Sequence, residues 1–263
     1  MHINELVTLF ELYAPPSLAA EWDNPGLLIE PESNEISRVL VALDCTKAVA
    51  LEAKARRCEL VLTHHPLFLT PVRRLSYRQP ETAPACLLLR NGIGLYSSHT
   101  NLDAAKGGVN DTLAALLGLT NIKELKSADS IEPALGRIGE LSLPMQLSEF
   151  AHFTNSRLCA NVRVCGNMEQ LVSKIAVVGG SGGDFVEVAH ALGADALVTG
   201  ELKHNRAIAA DFLGLCVLEA GHYETERPVL KAWIAGLQAK LKEVQYKVEL
   251  LLSEEETAPL AAP

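Results

Sequence analysis

Cys58-Glu59-Leu60-Val61-Leu62-Thr63 is a short aliphatic run that reads as a β-strand, and it ends directly on His64-His65-Pro66. The run has a second copy. Ala194-Asp195-Ala196-Leu197-Val198-Thr199 resembles it, and Ser37-Arg38-Val39-Leu40-Val41 resembles Ser173-Lys174-Ile175-Ala176-Val177. Both matches carry one offset, 136 residues from Ser37 to Ser173 and from Thr63 to Thr199. The next strands also correspond, each followed by a His and, four residues later, a carboxylate: His99 with Asp103, and His222 with Glu226.

Outward from these strands the pattern alternates. Thr46 caps a helix running to about Arg57, a second helix spans about Glu81 to Asn91, and Ile93–Ser97 is a strand. Gly107-Gly108 opens a helix through Leu117. An amphipathic helix over Glu5–Tyr13 stops at Pro15-Pro16. The connection at about 120–170 is irregular, with strands near Gly136–Leu141 and Ala160–Val164 around a helix near Gln146–Ser156. Beyond it come a strand (Lys174–Val178), a helix (Asp184–Leu192), a short strand (Ala196–Val198), a helix over 203–213 and a strand (Leu215–Glu219). A long helix over Thr225–Leu241 and a strand over Gln245–Leu252 complete the order. The fold class is therefore α/β, with duplicated α/β units whose largely parallel sheets are covered by helices. The first half is expected at 1–125 and the second at 126–263, with a disordered tail at 253–263.

With 263 residues, 48% of them hydrophobic and 21% charged, the chain is a globular protein that needs no staples. Its net charge of −9 makes a nucleic-acid-coating role unlike it, leaving room only for a local basic patch such as Arg73, Arg74 and Arg78. No apolar run reaches the roughly 18–20 residues of a membrane span, and the N-terminus lacks a secretory pattern. The six cysteines are scattered and form no CxxC pair, which points to reduced thiols in a cytoplasmic protein.

In parallel sheets, ligands gather at the carboxyl ends of strands. Four of the eight histidines (His64, His65, His99 and His222) fall just after strands on that edge. If a helix begins near His222, then His222 and Glu226 share one of its faces. Taken singly, a solvated His pair, a capping His99 and a helix-start Glu226 are ordinary features. Together, three imidazoles and two carboxylates exceed a single tetrahedral site with an open position and suit two metals sharing a bridging carboxylate and a water. These N and O donors suit zinc, iron, manganese, nickel or cobalt alike.

At these residues the chain resembles the GTP cyclohydrolase 1 type 2 homologues, also called the Nif-three-like family. The resemblance runs over nearly the whole chain. It is carried by Trp22-Asp23-Asn24-Pro25-Gly26-Leu27, Thr63-His64-His65-Pro66, Ser98-His99-Thr100-Asn101-Leu102-Asp103, Gly107-Gly108-Val109-Asn110-Asp111, Val198-Thr199-Gly200-Glu201 and Gly221-His222-Tyr223-Glu224-Thr225-Glu226-Arg227. It implies a duplicated α/β fold, two divalent metal ions per chain and a ring-shaped homohexamer. The ligands it implies are His64, His65, Asp103, His222 and Glu226. It gives His99 no ligand role, which leaves that residue as a proton carrier or an orienting group. The implied activity is metal-assisted opening of the purine ring of GTP. The residues themselves leave open a metal-dependent phosphoesterase or amidohydrolase and a non-enzymatic ring-shaped scaffold. Gly179-Gly180-Ser181-Gly182-Gly183, between a strand and a helix, is the expected anion contact through Gly180, Ser181 and Gly182. Lys203 and His204 could touch substrate, but a solvated helix start explains them better.

Overall fold

The fold is described here from a computed structural model, over residues 1–127 and 131–260. The chain divides into two compact units, one built from Met1–Lys106 and Leu230–Pro259, the other from Gly107–Val229. This division differs from the one expected at 125/126 in two respects. The helix after Gly108 belongs to the second unit, and the C-terminal segment returns to the first.

The first unit holds α1 (Ile3–Tyr13), β1 (Gly26–Ile29), β2 (Arg38–Ala42), α2 (Lys47–Ala55), β3 (Leu60–Thr63), α3 (Ala83–Arg90), β4 (Gly94–Ser97) and α4 (Thr100–Ala104). The second holds α5 (Val109–Leu116), β5 (Thr120–Glu124), β6 (Arg137–Gln146), α6 (Leu147–Leu158), β7 (Arg163–Cys165), β8 (Leu171–Val178), α7 (Val186–Ala191), β9 (Ala196–Thr199), α8 (His204–Leu213), β10 (Cys216–Glu219) and α9 (His222–Glu226). Then α10 (Val229–Glu243) and β11 (Glu249–Leu252) re-enter the first.

The first sheet runs β1-β4-β3-β2-β11, parallel except where β1 meets β4. The second runs β5-β6-β8-β9-β10-β7 and is parallel only through β8, β9 and β10. Its antiparallel flanking strands β5, β6 and β7 come from the irregular middle of the chain. Alternate residues of the second sheet enter different cores. Ile175, Val177 and Val198 pack with Leu113 and Phe150, whereas Ala176, Val178 and Leu197 pack with Val186 and Ala210. Helices therefore cover both faces of this sheet.

The duplication is visible in register. Val39 pairs with Leu60 and Ala42 with Thr63, while Ile175 pairs with Ala196 and Val178 with Thr199, each 136 residues on. A side-chain clamp is duplicated as well. The Glu59 carboxylate accepts the Ser37 and Arg38 amides, and Asp195 accepts those of Ser173 and Lys174. Replacing either acid by alanine removes the acceptor for two consecutive amides. Each change is expected to cost about 1–3 kcal/mol in denaturant unfolding, and a loss confined to one of the two would contradict their equivalence.

The long helix expected over Thr225–Leu241 is two helices. Pro228 lacks an amide N–H and cannot continue α9, but its fixed φ suits the approach to α10. On α10, Leu230, Trp233, Leu237 and Leu241 recur at helical spacing and are buried.

The tail expected to be disordered is anchored in its described part, and residues 261–263 lie outside the described residues. Ser253 and Glu256 are buried. Glu256 Oε1 accepts the Leu43 and Asp44 amides, 2.7 and 2.8 Å away. Glu52 accepts Ser253 Oγ and the amides of Glu254 and Glu255. Burial alone would raise the Glu52 carboxyl, but these donors and Arg56 outweigh it and hold it below its ordinary value. A depressed carboxyl stabilises fully above its unfolded value, and that contribution is lost as pH falls through the folded one. Limited proteolysis at 253–260 is therefore expected to be slow at neutral pH and to accelerate in acid, as pH falls below the ordinary glutamate range, and Glu52→Gln should expose the tail already at pH 7. Equal protection in that variant would contradict the anchor.

Candidate metal centre

In the first unit the histidine pair extends β3. The His64 amide donates to Ala42 O and the His65 amide to Leu43 O, so the ladder to β2 continues past Thr63. Thr63 Oγ1 donates to His65 O at 2.8 Å and fixes the exit. The two rings then lie 4.9 Å apart, centroid to centroid, and His99 completes a triangle at 5.3 Å from His64 and 5.5 Å from His65. One ring nitrogen of each lies within 4.8 Å of the others.

Each ring is held by its Nδ1. His64 Nδ1 lies 2.9 Å from Ser98 O, His65 Nδ1 2.9 Å from Asp44 Oδ1, and His99 Nδ1 2.8 Å from Asp23 Oδ1. Acceptors at Nδ1 place the proton there and leave the lone pair on Nε2. His64 is fully buried, and its Nε2 faces the Asp103 carboxylate at 3.7 Å. Asp103 lies on α4, one turn beyond His99.

In the second unit α9 begins at His222, three residues before the helix start expected at Thr225. His222 Nε2 lies 3.2 Å from Glu226 Oε2 across one helical turn, and Glu226 is buried. His222 Nδ1 is held by Glu201 Oε1 at 2.8 Å. Glu201 occupies the position equivalent to His65, so the second copy replaces an imidazole with a carboxylate that orients one.

The donor chemistry fits divalent metals. Lone-pair nitrogens and carboxylate oxygens face one another, and every imidazole is fixed from behind by an acceptor, the arrangement metal-ligating histidines require. Asp23, Asp44 and Glu201 supply three of those acceptors, and reading the sequence alone gave them no role. Asp44 was findable, because it follows the aliphatic stretch of β2 just beyond that strand's carboxyl end, beside β3. Burial would raise the Asp23 carboxyl, but His99 and the amide and hydroxyl donors around it bring it down to about 2, so it stays ionised. Glu201 is lowered by Ser181 Oγ and His222.

At the expected anion contact, two backbone amides and the serine hydroxyl have partners within the chain. The Gly180 amide donates to Thr225 Oγ1 and the Gly182 amide to Thr199 Oγ1, while Ser181 Oγ donates to Glu201. The turn also packs against the candidate ligand pair His222 and Glu226. Gly180 has φ +62°, and a Cβ there would overlap Glu226 Oε1.

Comparison with known proteins follows from this geometry. The family model described as Duf34/NIF3 (NGG1p interacting factor 3) matches residues 1–259. The chain belongs to the DUF34/NIF3 family. A relative from Clostridium perfringens named "GTP cyclohydrolase 1 type 2 homolog" is 37% identical, covering 98% of each chain. One of the same name from Nostoc is 35% identical over 91% of this chain and 92% of its own. A solved NIF3-related protein from Bacillus cereus superposes with a TM-score of 0.93 at 25% identity, covering 100% of this chain and 99% of the other. The α/β architecture is thus that of the NIF3 family. Among the described residues no helix is long and apolar enough to cross a membrane. All six cysteines are free, and Cys159 is exposed rather than buried.

Proposed function

We propose that this NIF3-family chain binds two divalent metal ions through His64, His65, Asp103, His222 and Glu226 and hydrolyses a small-molecule substrate, with ring opening of GTP as the first reaction to test. The observation that supports it is the shared tethering of four histidines by Nδ1, with the Nε2 of His64 facing Asp103 in one unit and that of His222 facing Glu226 in the other. The relatives' names suggest the substrate class.

The chemistry supplied by bound divalent ions is Lewis acidity and a lowered pKa of water. The chain's own residues do the rest. Asp44, Glu201 and Ser98 O fix the tautomer of His65, His222 and His64. His99 is the proton carrier in this reading. Asp23 stays ionised and holds its Nδ1–H, so Nε2 takes a proton and returns it, the positioned-base arrangement of general catalysis. We place the protein in the cytoplasm as a homohexamer, to be read by light scattering of the eluted protein.

Purified, metal-loaded protein is expected to release formate from GTP, and His99→Ala to slow release without lowering metal content. Absence of turnover of any nucleotide by fully loaded protein would reject the substrate assignment. In that case, cleavage of generic phosphoester or amide substrates would retain the hydrolase reading.

A further inference from the structure

The first unit carries a cavity of about 720 Å³ that opens beside the candidate metal ligands. His65 and the Asp44 that orients it form one end. Lys47, at the start of α2, and Arg78 supply two cations to the lining, and Tyr77 supplies an aromatic ring. Glu256 of the anchored tail closes another part of the wall, its Oε1 already bound to the Leu43 and Asp44 amides. Among the described residues neither Lys47 nor Arg78 has a carboxylate within ion-pair distance. Tyr77 is 55% exposed, so its face is not spent on the core. The volume lies in the range of small-molecule sites, where a largely apolar wall is punctuated by a few charged groups.

We propose that this cavity is the subsite for a small organic anion carrying a flat ring, with Lys47 and Arg78 gripping the anionic group and Tyr77 stacking the ring. A guanidinium and an ammonium without internal acceptors are suited to a phosphate or carboxylate, and an exposed phenol ring to a heteroaromatic face. With His65 at one end, the ligand held here meets the metal-ligand edge. The inference rests on the proposed metal reading only for what happens to the ligand after it binds.

The test uses full-length, metal-loaded protein and three probes measured by calorimetry: a nucleoside monophosphate, the same nucleoside without phosphate, and inorganic pyrophosphate. The monophosphate is expected to bind most tightly of the two nucleoside probes. Lys47→Ala combined with Arg78→Ala is expected to weaken both phosphate-bearing probes by about tenfold or more. Tyr77→Ala is expected to weaken the nucleoside monophosphate and leave pyrophosphate unchanged. All three positions are exposed, so the variants should keep the wild-type circular dichroism and metal content. Unchanged affinity in the double variant, or no binding of any probe to the wild type, would overturn the subsite. Loss of metal from otherwise binding-competent wild type would instead count against the metal reading alone.

Discussion

Replacing His65 by alanine is expected to weaken binding of divalent metal at that position far more than replacing the residue behind it. His65 is the better ligand to remove. Its side chain is 22% exposed, whereas His64 is fully enclosed and its loss would also leave a hole and an orphaned Ser98 carbonyl. Asp44→Ala removes only the acceptor that fixes the His65 tautomer, which costs about 10–100-fold in affinity in comparable sites. His65→Ala removes the donor itself and should exceed that range, while unfolding and circular dichroism stay near those of the wild type. Competition titration with a chelating dye reads both. Equal affinity in wild type and His65→Ala would remove His65 from the ligand set, and an Asp44 effect as large as the His65 effect would indicate a packing defect.

The second large effect is expected at Asp111. Arg137 begins β6 with its side chain 6% exposed, and its Nε donates to Asp111 Oδ1 at 2.5 Å. It also donates to the carbonyls of Ala134 and Gly136. Asp111 accepts the Gly107 amide on its other oxygen. Deleting one partner of a buried pair costs about 3–5 kcal/mol because the other charge stays enclosed. Asp111 is 26% exposed, so water offsets part of that, and we expect a loss of about 2–4 kcal/mol for Asp111→Ala. Asp111→Asn, which keeps an acceptor, should lose less. Denaturant unfolding followed by tryptophan fluorescence and circular dichroism measures both. Wild-type stability in Asp111→Ala would show that the pair contributes nothing.

The same stretch shows what reading the sequence alone left out. Gly107-Gly108-Val109-Asn110-Asp111 carried the family resemblance without any role. In the structure, Asn110 Oδ1 accepts the Gly179 amide at 2.9 Å and its Nδ2 donates to Leu135 O. The motif thereby holds the turn that presses Gly180 against Glu226. No spacing rule connects residues 69 positions apart in this way.

Where the signal was local, it carried further. The strands around Val39, Leu60 and Ile175 were legible because short aliphatic runs ended at turn residues, and the registers observed in the two units repeat with the same offset. The i, i+4 spacing placed His222 and Glu226 on one helical face, and they meet there. Strands β1 and β5 lacked a sufficient run of apolar residues. Every residue of β5 is exposed, so no burial pattern marked it. The tail misled because its anchoring is supplied from elsewhere in the chain. Ser253 and Glu256 are polar and would remain solvated but for Glu52 and the amides of Leu43 and Asp44. In the glycine-rich turn, threonine hydroxyls from β9 and α9 take up the Gly182 and Gly180 amides, a pairing that composition alone does not show.

The account turns on the number of divalent ions the folded chain retains. Elemental analysis of protein purified without chelators, dialysed and quantified by amino-acid analysis, is predicted to give two divalent ions per chain, falling when His65 or His222 is replaced by alanine. A wild-type chain that holds no stoichiometric metal after incubation with zinc, iron, manganese, nickel and cobalt in turn would contradict it.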